Sequence, residues 1–95
     1  MGVRKGPDFR IISRAPRDVR LLARARRDIL ALHAVERAML AKHIDRLAVD
    51  ALPRGAVGLD GEHRDHLRVR IGRFRLLYRV RDGDLDVVAI TAETG

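Results

Sequence analysis

The chain has 95 residues, no cysteine and a formal net charge of +7. That length supports a single domain, residues 1–95, with one modest core. The lack of cysteine excludes a disulfide framework and thiolate chemistry, and fits a reducing, cytoplasmic setting. No apolar run approaches the roughly 20 residues that cross a bilayer, and the basic start has no apolar segment behind it, so neither a membrane span nor a secretory leader is expected. The positive charge favours polyanionic partners. Part of it is compositional, because arginine is spread along the whole chain while lysine occurs only at Lys5 and Lys42.

Met1 to Pro7 reads as a disordered leader. Asp8 to Ser13 (DFRIIS) is short and β-prone, and predicts a first strand at a sheet edge or beside the last strand. Ser13 is a good helix N-cap and Pro16 suits a first turn, so a helix is expected from about Ala15. Val19, Leu22, Ala23, Arg26 and Leu30 follow helical spacing, and Arg17, Arg20, Arg24 and Arg27 fall mostly on the wet side. The stripe loses phase at Leu32-His33. A second helix is expected from about Ala34 to Asp50, with Leu40, Ile44 and Leu47 inward. A hairpin of two helices is favoured over one long helix, which would be unusual in so small a domain. Leu52-Pro53 stops the helix, and Arg54 to Asp65 is a loop anchored by Leu59.

From His66 to Thr91 the period changes to two. Leu67, Val69 and Ile71 alternate with Arg68, Arg70 and Gly72; Phe74, Leu76, Tyr78 and Val80 alternate with Arg75, Leu77, Arg79 and Arg81. Gly72-Arg73 and Asp82-Gly83 supply tight turns. The result is a three-strand meander with one apolar and one arginine-lined face. The order β-α-α-loop-β-β-β predicts an α+β domain: an N-terminal strand, and a helical hairpin packed on one face of a small, mostly antiparallel sheet. Tyr78 shares a face with Phe74 and Leu76 and is assigned to the core.

Arginines converging from neighbouring strands suit phosphate, because a planar guanidinium matches two phosphate oxygens. Solvated side chains that guard the sheet against aggregation are the plainer reading of the same row. Acid or base candidates are His63 and His66, just before the basic strand, and Glu93, just after the last one. His63-x-x-His66, in a loop without further ligands, is not a metal signature, and no cofactor motif is present.

The element order, the loop Leu59-Asp60-Gly61 and the stretch LRVRIGRFRLLYRVRDGDLDVVAI together resemble the RelE/ParE superfamily of toxins from bacterial type II toxin–antitoxin systems. The most specific part is Phe74-Arg75-Leu76-Leu77-Tyr78, an aromatic-Arg-apolar-apolar-Tyr strand after a glycine turn. The resemblance implies a RelE-like fold and a ribosome-dependent mRNA endonuclease restrained by a cognate antitoxin. It implies that Arg68 and Arg70 grip the mRNA phosphate and that Arg75 stabilises the transition state. The helical row Arg17, Arg20, Arg24 and Arg27 is either a solvated helix face or a dock for ribosomal RNA outside the active centre, and Arg73 is a further candidate for RNA contact. After the last strand RelE-like enzymes continue with a basic residue and a Tyr or His, where this sequence reads Thr91-Ala92-Glu93-Thr94-Gly95. The alternatives are therefore a ParE-like inhibitor of DNA gyrase without nuclease activity, or a degenerate relative that binds nucleic acid or a partner.

Overall fold

A computed structural model of the chain describes residues 16–61 and 64–93. The elements run β1 (Asp18–Leu21), α1 (Ala23–Leu30), α2 (Ala34–Val49), β2 (Val57–Gly58), β3 (His66–Ile71), β4 (Phe74–Arg81) and β5 (Asp84–Ala92). The strands form one sheet in the order β1-β5-β4-β3-β2. Only β1 runs parallel to its neighbour; the other pairings are antiparallel. This is the expected α+β architecture. The meander is as expected, with Gly72 at the first turn in the left-handed region at φ +61°, which glycine adopts without steric cost.

The start of the chain departs from expectation. The anticipated leader, the strand at Asp8 to Ser13 and the Ser13 cap lie outside the described residues. Where a helix is predicted from Ala15, Asp18–Leu21 is instead the edge strand β1, and the helix begins at Ala23. Tertiary pairing overrides the local helical preference. The N–H groups of Asp18 and Leu22 donate to the carbonyls of Gly83 and Val87, both on the β5 side, at 2.8 and 2.9 Å. Val19 and Leu21 stand opposite Leu85 and Val87, and Arg20 stands opposite Asp86. Arg17 and Arg20 are therefore not on a helix. The predicted phase of the first helix is also corrected: Ala25 and Ile29 are buried, whereas Leu30 is exposed.

The helix break falls at Ala31 to His33, as expected, and Leu40, Ile44 and Leu47 of α2 are buried. Both helices contribute to one core, closed from the sheet side by Val69, Ile71, Phe74, Leu76, Tyr78, Leu85 and Val87. Tyr78 is a core residue whose hydroxyl donates to the Ala51 carbonyl at 2.7 Å. The segment read as loop contains the short strand β2, which pairs with Arg68 and Leu67 of β3; Leu59 behind it is half-buried.

Helix α1, at eight residues, is below the ~12–15 at which isolated helices persist, and Leu22 offers no side-chain cap. Docking holds it. β1 covers the edge of β5 only as far as Val87, and beyond that point the Asp28 carboxylate accepts the Ile90 N–H at 2.9 Å. A bulge then sets the phase of β5. The register steps from Leu77↔Ala89 to Tyr78↔Val87, leaving Val88 unpaired. That single extra residue moves Asp86 onto the face opposite the helices, in line with Arg79.

Candidate phosphate-binding site on the open sheet face

Both helices draw on the apolar face, so the other face of the sheet presents the outward residues of each strand. On β3 these are His66, Arg68 and Arg70; on β4 they are Arg75, Leu77, Arg79 and Arg81. Arg70 and Arg75 stand directly opposite one another. Like charges in that position repel, and Glu93 resolves the conflict. Arg75 Nε donates to Glu93 Oε2 at 2.8 Å, and Arg70 Nη2 donates to Glu93 Oε1. The Glu93 N–H donates to the Arg73 carbonyl at 2.7 Å, which fixes the backbone just past β5. The Glu93 side chain is 22% exposed, against 67% for Arg70 and 52% for Arg75. Two solvent-facing guanidinium groups thus converge on one oxyanion.

Arg68 lies one outward step along β3, and its side chain makes no hydrogen bond or ion pair among the described residues. It lines a shallow depression with Gly55, Val57, Arg70, Arg75 and Glu93. A second depression adjoins it, formed by Arg24, Leu59, Arg68, Arg75, Leu77, Ala89 and Thr91. Chemically, the first offers an anion seat with a carboxylate already in it. Arginine supplies charge stabilisation well and proton transfer poorly, because it stays protonated. The carboxylate lining this first depression is that of Glu93.

The far end of the face is organised differently. Asp86 is fully buried, yet accepts from Arg20 Nε at 2.8 Å and Arg79 Nη2 at 2.9 Å, with Arg81 at 3.8 Å. The Arg20 hydrogen bond, opposed by burial and assisted by Arg79, holds the Asp86 carboxyl below the ordinary carboxylate range. Asp18 and Asp84 stand side by side in the next row, where Asp84 also pairs in register with Arg81. Carboxylates thus offset the arginines at this end, whereas Arg68, Arg70 and Arg75 have only Glu93 among them.

No family model and no curated protein matches the chain. Solved structures do match. A toxin–antitoxin complex, RelBE2 from Mycobacterium tuberculosis, contains a chain 27% identical to this one, with a TM-score of 0.74 over 83% of this chain and 100% of that one. The chain has the fold of RelE-family toxins. The RelE-like fold is shared by the archaeal RelE–RelB complex from Pyrococcus horikoshii, with a TM-score of 0.70, 19% identity, and coverage of 82% of this chain and 96% of that one. It is shared too by the YoeB dimer from Staphylococcus aureus, with a TM-score of 0.62, 17% identity, and coverage of 85% and 99%.

Within this RelE-like frame, Arg68, Arg70, Arg75 and Glu93 come together. His66 does not join them: its ring Nδ1 is 2.8 Å from Asp65 Oδ1. It also sits opposite Arg79, two outward steps from Arg70, or about 13 Å at the ordinary strand rise. His63 lies outside the described residues. Of the basic residues assigned to RNA or ribosome, Arg24 alone reaches the groove. Arg20 is pinned to Asp86. Arg73 is drawn to the helix side, where it pairs with Glu36 at 2.7 Å and stacks on Phe74 at 4.6 Å. Arg27 is exposed in the last turn of α1, and Arg17 is half-buried beside Ala51 and Leu52. Sequence reasoning missed Asp86 and Asp28. The signal for Asp86 was a lone carboxylate between Leu85 and Val87, in a strand facing an arginine-rich neighbour.

Proposed function

We propose that the chain is the toxin of a type II toxin–antitoxin pair and cleaves mRNA on the ribosome. The observation that carries this reading is the in-register pair Arg70 and Arg75 closing on one oxyanion, with the side chain of Arg68, unpaired among the described residues, beside it. In the free protein the Glu93 carboxylate stands where a phosphate would sit. When RNA binds, the guanidinium groups of Arg70 and Arg75 transfer to the phosphate oxygens, and Arg68 holds the neighbouring backbone. Glu93, released from them, takes the proton of the ribose 2′-OH. The 2′-oxygen bonds to phosphorus and the bond to the 5′-oxygen breaks. The 5′-oxygen leaves with a proton from water, and a 2′,3′-cyclic phosphate remains. The arginines stabilise the extra negative charge of the pentacovalent phosphorus, the part of such a reaction where fixed cations contribute most.

The partner expected for this activity is an antitoxin with an acidic segment that replaces Glu93 as the counter-charge of the arginine cluster. One observation favours the gyrase alternative: the depression shared by Arg68, Arg70, Arg75 and Glu93 is lined by no His or Tyr among the described residues, so its acid–base equipment is a single carboxylate. Controlled expression separates the two. With the nuclease reading, growth stops, ribosome-bound transcripts are cut inside translated codons, and Arg75→Ala abolishes cutting while the protein still folds. Growth arrest with intact transcripts and induction of the DNA-damage response assigns the chain to gyrase instead.

A further inference from the structure

Helix α2 turns Leu40, Ile44, Leu47 and Ala48 to the core. Its opposite side carries Val35, Ala38, Lys42, Asp45 and Val49, all exposed. These five recur at alternating steps of three and four, the spacing of a coiled-coil seam. Here the seam faces away from the sheet. Val35 is 81% exposed and Val49 61%, and Leu52, just past the end of the helix, is 70% exposed. Single apolar residues scattered on a surface are ordinary, but these occupy regular stations along one helix. The side chains of Lys42 and Asp45 make no hydrogen bond or ion pair among the described residues. The face therefore has apolar ends, a small residue next to the middle, and one charge of each sign at its centre.

We propose that this face pairs with the same face of a second copy of the chain, the two α2 helices running antiparallel about a two-fold axis. One register matches the whole series. Lys42 faces the partner's Asp45, Ala38 faces the partner's Val49, and Val35 faces the turn that carries the partner's Leu52. Each contact occurs twice, as an isologous interface requires. Large side chains meet small ones, which lets two helices interdigitate. The competing arrangements fail on charge. A parallel pair sets Lys42 beside Lys42 and Asp45 beside Asp45. The neighbouring antiparallel register sets Lys42 against Ala38 and Asp45 against Val35, which desolvates both charges without pairing them. The 16 residues of α2 span only about 24 Å, so the interface belongs to the small class in which association is transient. Because α2 lies on the apolar side of the sheet, both copies keep their arginine-lined face open, and the pairing does not depend on what that face binds.

The test is analytical ultracentrifugation of the full chain over a wide range of concentration. The mass is expected to rise from that of one chain toward that of two as concentration increases. Lys42→Asp places like charges in two facing layers and should weaken the dimer about tenfold; Asp45→Lys should do the same. The double variant Lys42→Asp/Asp45→Lys exchanges the charges and should restore the dimer. Arg75→Ala, on the other side of the sheet, should leave the mass profile unchanged. A single-chain mass for the unmodified protein at every concentration up to millimolar overturns the proposal, and that result stands even if a variant fails to fold by circular dichroism. It is also the outcome expected if a different protein covers this face. A dimer that survives both single reversals, or that is lost in Arg75→Ala, forms through another surface and overturns it too. A folded double variant that stays as weak as the single ones overturns the register, because Lys42 and Asp45 then do not meet across the axis.

Discussion

At the scale of single residues, burial decides which groups hold the fold and which remain available for chemistry. Tyr78 and Arg75 lie three positions apart on one strand. Their side chains point to opposite faces, and their fates differ completely. Burial, with a smaller contribution from the charge of Asp50, pushes the Tyr78 phenol up to about 12. The neutral hydroxyl is favoured because the phenolate would lose water and could not donate to the Ala51 carbonyl. The folded value lies above the unfolded one of about 10. This stabilisation is therefore full below about pH 10 and is lost as pH rises toward 12. Tyr78 is the only tyrosine and the chain has no tryptophan, so the near-ultraviolet phenolate band reports it alone. The band should stay absent in the folded protein well past pH 10, and appear near that pH in denaturant. Tyr78→Phe leaves the buried Ala51 carbonyl unpartnered and should cost about 1–2 kcal/mol in chemical denaturation. A phenolate titrating at an ordinary pH in the native state would contradict this account.

At the scale of elements, α1 shows how a weak helix is kept. Its interior has good helix formers, but it is too short to persist alone and lacks a side-chain cap. Two buried residues and one carboxylate fasten it to β5. Asp28 has a double role: it pairs with Arg24 at 3.3 Å across one helical turn and covers the Ile90 N–H. The Arg24 pair is largely exposed and contributes little. The strand-edge hydrogen bond is half-buried and charge-assisted, worth about 1.5–3 kcal/mol. Asp28→Ala is therefore expected to destabilise the protein by about 2 kcal/mol, whereas Arg24→Ala should change stability by less than about 0.5 kcal/mol. Amide exchange of Ile90 should quicken in the first variant and not in the second. Equal effects of the two substitutions would mean that the ion pair, rather than the strand edge, holds the helix.

At the scale of the whole molecule, the net charge of +7 is unevenly spent. Carboxylates offset the Asp86 end of the open face, and on that face the excess lies around Arg68, Arg70 and Arg75, which have only Glu93 among them. RNA binding should therefore weaken with salt according to this local cluster rather than the total charge. Three phosphate contacts predict a slope of about −2 in log affinity against log salt for a single strand. A slope of −5 or steeper, beyond about six contacts, would mean that the helical arginines bind as well. In the proposed function Glu93 competes with phosphate for Arg70 and Arg75, so Glu93→Gln should tighten RNA binding about fivefold, the weight of one nearby charge in a well-solvated setting. The same variant should lose cleavage, because it removes the proton acceptor. Opposite movement of binding and turnover is the outcome that the arrangement requires.

The fold class and the meander were readable from residue order because they rest on local periodicity: a two-residue alternation from His66 onward and a helical stripe at Leu40, Ile44 and Leu47. The two-faced sheet followed from the same alternation, so the arginines of β3 and β4 could be placed on one side in advance. Local patterns could not foresee β1. Asp18–Leu21 has no strong strand signal, and becomes a strand because the edge of β5 and the carboxylate of Asp86 lie in wait for it. The bulge at Val88 likewise arises only when two strands are paired, and it alone turns Asp86 outward. The depression lined by Arg24, Leu59 and Leu77 also required the closed fold, because it joins a helix, a loop and a strand distant in sequence. Periodic burial is written residue by residue, whereas pairing partners and charge balance depend on which distant segments meet.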